Sequence, residues 1–183
     1  VNDIHDFFET FAPGFGFTDQ SINAWVNMNQ TCNAYWNGEG IHFYAAGNNC
    51  NNTGQMMSIV AHEYGHGIQN AILGWQGDQG LGEGNGDITG FLLTRDSIIG
   101  RGWNNCGTGY LRNCDNSLIY ADNVIGWNEW DAGRVIAGFH WDAMQAQIAA
   151  YGEWGHYSAA WDWHWGRVLQ LPTDQPAQVL ATF

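Results

Sequence analysis

Two histidines four residues apart, His62 and His66, flank Glu63 in a segment whose apolar residues recur at helical spacing. Met56, Ile59, Val60, Ile68 and Ile72 form that stripe across Gln55–Ile72, and Thr53 stands where a side chain could cap the first turn. On a helix, positions i and i+4 lie one above the other, so both imidazoles reach the same point in space. Borderline nitrogen donors so placed suit zinc. Glu63 is next along the helix, and its carboxylate can reach a water beside the ion without being a ligand. A chain carrying this pattern has to fold around one rigid helix with a polar, accessible face.

A catalytic zinc needs a third protein ligand and an open fourth position. Ile72 stands where H-E-x-x-H-x-x-G-x-x-H would place a third histidine, so the candidates pass to Asp78, Glu83 and Asp87. Glu83 and Asp87 are an i, i+4 pair opening a second helical pattern that runs on through Ile88, Phe91, Leu92 and Ile99. One of them can ligate, while the other accepts the N–H of a ligating imidazole and fixes its tautomer.

The remaining chain suggests an α+β fold: a small antiparallel sheet, an active-site helix, then a mostly helical lobe. Residues 1–183 read as one domain, with the sheet and active-site helix in about 1–75 and the helical lobe in about 76–183. Val1 to Asn52 is irregular, with a strand at Ile41–Ala45. The run QGDQGLGEGNGD is too rich in glycine for an ordinary helix interior. A third helix is expected over Asp131–Tyr151, a Trp-rich one around Ser158–Leu169, and a short terminal one near Pro172 and Pro176.

Eighteen carboxylates face five basic residues, all arginine, for a net charge of −13. That balance excludes a phosphate-binding surface, and hence nucleic acid. No apolar run approaches the ~18 residues of a membrane span. The chain opens at Val1 and reads as a mature or excised segment. Four cysteines fall into two local pairs, Cys32 with Cys50 and Cys106 with Cys114, neither with C-x-x-C spacing. Disulfides in a secreted, extracellular protein are the expectation.

H-E-x-x-H followed by Glu83-x-x-x-Asp87 resembles the signature of gluzincin metallopeptidases of the thermolysin and fungalysin type. The resemblance implies His62, His66 and Glu83 as zinc ligands, Glu63 as general base and Asp87 as partner of His62. Asn33-Ala34-Tyr35-Trp36-Asn37-Gly38 is similar to the substrate-binding edge strand of the same enzymes. There the Asn side chain and Ala carbonyl hold the substrate backbone, as in strand addition to a sheet edge. The opening Asn2–Phe8 and Gly16-Phe17-Thr18 look fungalysin-like, and Gly133–Asp142 is similar to a helix of secreted relatives. Those families place a histidine three residues before that glycine, where it bonds the developing oxyanion; here the position is Trp130. An indole N–H donates one hydrogen bond but carries no charge. Arg134, His140, His156 and His164 are the other candidate donors.

The implied activity is that of a secreted zinc endopeptidase acting on peptide or protein substrates. Calcium is a second candidate cofactor, with Asp115/Asn116 and Asp122/Asn123 as potential ligands. Two rivals stand beside this reading. One is a peptidase-derived module that keeps zinc with reduced or lost catalysis. The other is an extracellular carbohydrate-binding protein using the eleven tryptophans, Trp154, Trp161, Trp163 and Trp165 foremost.

Overall fold

A computed structural model of the chain describes residues 1–74, 80–120, 122–123 and 126–160. The Trp-rich and terminal helices expected beyond Ala160 lie outside the described residues, as do Trp161, Trp163, Trp165, His164 and Asp78, and so do the side chains of Trp154 and His156.

The described fold is α+β. Helix α1 (Asn2–Phe11) precedes strands β1 (Asn23–Thr31), β2 (Ala34–Trp36) and β3 (Gly40–Ala45), and a 3-10 turn at Thr53–Gln55 leads into helix α2 (Met57–Leu73). Helix α3 (Leu81–Thr94) follows, then the short strands β4 (Ile98–Ile99) and β5 (Arg112–Asn113) and the long helix α4 (Glu129–Ala160). Within α4 the backbone breaks at Gly152, whose φ of 75° is left-handed.

The principal sheet has the order β1-β3-β2. It is mixed where an antiparallel sheet was expected: β2 runs antiparallel to β3, but β1 runs parallel to it. Two successive reversals explain this. Cys32, with φ of 64°, turns β1 into β2, and the Asn37 side chain, accepting from the Glu39 and Gly40 amides, turns β2 into β3. Two reversals restore the starting direction, which places β1 beside β3 in parallel and leaves β2 as an edge of the sheet among the described residues.

Helix α2 is the spine of the core. Ile59, Val60, Ala61, Tyr64 and Ile68 are buried against Ile4 and Phe8 of α1, Ile41 and Phe43 of β3, and Ile88 and Phe91 of α3. Its end is capped by Gly74 in the left-handed conformation that glycine adopts without penalty. The expected start at Gln55 is displaced to Met57, because Asn52 caps the preceding 3-10 turn by accepting from the Gly54 amide. Thr53 itself turns inward, its hydroxyl donating to the Asn33 carbonyl.

Glycine does not exclude helix α3; it lets α3 sit close to its neighbours. A Cβ on Gly84 would meet the Ile136 side chain and the Gly133 carbonyl of α4, and one on Gly65 of α2 would meet Thr89 of α3. The expected continuation of α3 to Ile99 fails at Arg95, which takes φ of 58° and ends the helix. Asp96 then accepts from the Ile98 amide, and Ile98–Ile99 pairs with Arg112–Asn113 as a strand.

Cys32 and Cys50 form a disulfide that ties the end of β1 to the loop after β3. Cys106 and Cys114, expected as a second pair, are free thiols. Cys106 is exposed in a turn closed by the Gly107 amide on the Asn104 carbonyl. Cys114 is held inward by its amide donating to the Ser97 carbonyl, and its thiol is fully buried. Burial pushes that thiol well above its ordinary pKa, so Cys114 is a packing residue.

Gly84→Ala tests the close approach of α3 to α4. Overpacking of this kind costs about 1–3 kcal/mol, so the denaturant midpoint falls with an unchanged slope. A midpoint equal to that of the parent would show that the two helices are free to separate.

Candidate metal centre

The His62 and His66 rings lie on one face of α2, their centroids 4.6 Å apart and nearly perpendicular. Across from them α3 presents Glu83 from its first turn. His62 Nε2 is 3.4 Å from one Glu83 oxygen and His66 Nε2 is 3.7 Å from the other. One donor atom from each of the three lies within 4.8 Å of the others, the only such trio among the described residues. Two imidazoles and one carboxylate are the donor set that zinc takes when one coordination position stays open, so the residues fit that ion.

Asp87 lies one turn beyond Glu83 and is fully buried. Its Oδ1 is 2.8 Å from His62 Nδ1, leaving Nε2 of that ring facing Glu83. Gly86 makes room for this arrangement, since a Cβ there would stand 2.6 Å from His62 Nδ1 and Cε1.

Arg112 is the residue the motif reading missed. Its Nε donates to Asp87 Oδ2 at 2.7 Å and its Nη2 to Asp87 Oδ1 at 2.6 Å, while Nη2 lies 3.8 Å from Glu83. It enters from the short strand β5, in a stretch of sequence with no spacing motif. The available signal was chemical: a buried Asp87 beside a metal ligand calls for a cation, and the chain offers only five arginines.

The charges explain one another. Burial opposes the charge on His62, but hydrogen bonds to Asp87 and Glu83 overcome it and hold the ring at about 10. Burial would raise Glu83, yet the His62 hydrogen bond, with His66 and Arg112 nearby, brings it down to about 2. Burial likewise works against the Asp87 charge, and Arg112 and His62 outweigh it and keep the carboxylate far below its usual range. Glu63 behaves differently. Burial pushes it up to about 7, with His62 and Arg112 pulling down and Glu83 pushing up. It accepts a hydrogen bond from the Trp36 backbone, while its Oε2 is buried with no partner. A carboxyl group poised near neutrality with one oxygen free is equipped to take up and release a proton.

These groups floor a cleft of about 310 Å³. One wall is Asn33, Ala34, Tyr35 and Trp36; the other carries Trp103, Leu111, Arg112, Glu129 and Trp130. The four edge-strand residues singled out by the motif therefore do line the cleft. Trp130 lines it too and is half exposed. Arg134 is not among the residues lining the cleft, and its guanidinium is 3.7 Å from Asp131 on its own helix. His140 is buried in α4 away from the cleft, and burial lowers its pKa to about 3. Of the pairs suggested for calcium, the two asparagines are engaged in turns. The Asn116 amide donates to the Arg134 and Cys114 carbonyls, and the Asn123 side chain accepts from the Ile119 amide.

Fold and motif agree with the comparisons. Residues 2–70 match the family model of the thermolysin metallopeptidase catalytic domain. The whole chain superposes on the precursor of protealysin, a metalloproteinase from Serratia proteamaculans, with a TM-score of 0.69. Identity to that structure is 18%, over 100% of this chain and 71% of that one. No curated protein matches the chain. In fold and in the matched segment, then, the chain resembles the thermolysin-like gluzincin metallopeptidases.

Two measurements probe the centre. Gly86→Ala displaces His62, and disturbing the surroundings of a ligating histidine typically costs 10–100-fold in metal affinity, so zinc titration against a competing chelator shows a loss of about that size. A proton on His62 up to pH about 10 must leave before the ring can ligate. Zinc affinity therefore rises with pH by about tenfold per unit through neutrality if His62 alone releases a proton. An affinity independent of pH between 6 and 8 would contradict that proton count.

Proposed function

We propose that the protein is a zinc-dependent endopeptidase, with Glu63 as its general base. The observation that carries this is the joint placement of His62, His66 and Glu83 within 4.8 Å, beside a carboxylate raised to about 7. A zinc ion held by His62, His66 and Glu83 would polarise the scissile carbonyl and lower the pKa of water beside it.

The chain's own residues have the following parts. Strand β2 is an edge of the sheet among the described residues and lines the cleft, so an extended peptide can lie along it and add as a further strand. Asn33 and Ala34 offer polar groups there, although the Asn33 carbonyl already accepts from Tyr44 and Thr53. Glu63, fixed by the Trp36 backbone, takes a proton from the attacking water through its free oxygen and passes it to the leaving amine. Asp87 holds His62 in the tautomer whose Nε2 faces the site, and Arg112 keeps Asp87 ionised. Trp130 stands at the cleft mouth, where its indole N–H can donate to the oxyanion but supplies no charge. Loss of one strong donor typically costs ~10²–10³ in rate, so slow turnover is part of this proposal. The Cys32–Cys50 disulfide favours an extracellular, oxidising setting. Among the described residues no helix is long and apolar enough to cross a membrane.

Glu63→Gln separates catalysis from metal holding. Zinc content stays at one ion per chain while cleavage of a casein-type substrate falls by about 10²–10⁴, the usual contribution of a positioned proton carrier. Cleavage at the parental rate would refute the mechanism. Cleavage absent from both proteins, with zinc bound, would favour a module that holds zinc without turnover.

A further inference from the structure

A second cavity, of about 580 Å³, opens between α1, the loop that follows it and the back of α2. Asp6 and Glu9 come from α1, Asp19 from the loop, and Tyr64 from α2. Tyr64 is two residues beyond His62, so at 100° per residue it faces about 200° away from the metal centre. This cavity is therefore separate from the cleft.

Its chemistry is one-sided. Three carboxylates line it, and the basic side chain on its wall, His5, is occupied by Asp6, which its Nδ1 meets at 2.8 Å. Glu9 is also held in place, accepting from the Thr18 hydroxyl. Carboxylates on an acidic surface are common. The distinguishing observation is Tyr64, which contributes to the cavity lining: it is 1% exposed, its ring is packed against Phe8 and Phe17, and its buried hydroxyl has no hydrogen-bond partner. A buried hydroxyl left unsatisfied costs about 1–3 kcal/mol, and a ligand reaching it would relieve that cost.

The spacing of the acids selects the kind of cation. Among the described residues the only trio of ligating groups tight enough for a metal ion is at the other site. The carboxylates here ring a volume far larger than one ion. We infer that this cavity binds an organic cation on an alkyl stem, a guanidinium or ammonium of side-chain size, between Asp6, Glu9 and Asp19, with Tyr64 at its base. The stem would lie along Ile22, and the net charge of −13 would draw such a ligand from a distance.

Titration calorimetry on the full, zinc-loaded chain tests this with four probes: acetyl-glycyl-arginyl-glycinamide, its citrulline counterpart, agmatine and calcium chloride. The arginine peptide is expected to bind at least tenfold more tightly than the citrulline peptide, which has the same shape without the charge. Glu9→Gln and Asp19→Asn should each weaken it several-fold, with unfolding midpoints unchanged for the exposed Asp19 variant. Agmatine binding as tightly as the peptide assigns the site to a free small cation; a clearly tighter peptide assigns it to a basic side chain on a polypeptide. Equal binding of arginine and citrulline peptides overturns the inference. So does an affinity untouched by both variants, or calcium displacing the peptide. The titrations are run on the Glu63→Gln chain, so that the peptides are not consumed in the cleft, and the loss on Glu9→Gln or Asp19→Asn, both across α2 from the cleft, is what assigns the binding to this cavity.

Discussion

Asp87 is the side chain on which the centre turns. It is fully buried, yet it carries a charge, and that charge is tolerable only because Arg112 grips both of its oxygens and His62 engages one. Removing one partner of a buried pair typically costs 3–5 kcal/mol, more than most single contacts contribute. The same contacts join three separate parts of the chain: α2 through His62, α3 through Asp87 and the β4–β5 ribbon through Arg112. The electrostatics that stabilise the junction of these elements also orient the imidazole, so folding and assembly of the centre are one event.

Close backbone approach makes that junction geometrically feasible. The α2–α3 and α3–α4 contacts are lined by glycines exactly where a side chain would collide: Gly65 against Thr89, Gly86 against His62, Gly84 against Ile136 and Gly133. Glycine weakens a helix by about 0.5–1 kcal/mol per residue in isolation. Here each such residue lets the helices come near enough for Glu83 to face two histidines. The helix is poor by propensity and well determined by its surroundings.

The two halves of the trio were legible because each rests on local periodicity, while the choice of Glu83 over Asp87 as the group facing both histidines came from the family resemblance. His62 to His66 and Glu83 to Asp87 are both i, i+4 pairs, and that spacing needs nothing from the rest of the chain. The α2 stripe was legible for the same reason. Helix α1 was within reach as well, since Ile4, Phe7 and Phe8 recur at helical spacing, but the surrounding Gly and Asn punctuation masked it. Strand β1 was not legible. It is polar, mostly exposed along its length and interrupted by Asn27 at φ of 56°, so it shows no alternation to read. Arg112, the inward turn of Cys114 and the parallel pairing of β1 all depend on contacts between distant segments, which no local pattern encodes.

One modest contact joins the cleft wall to its chemistry. The Trp36 backbone donates to Glu63, so the rim of the sheet and the Glu63 carboxylate are mechanically linked. The donor belongs to β2 and the acceptor to α2, so the wall along which an extended chain would lie and the carboxylate beneath it keep a fixed spacing.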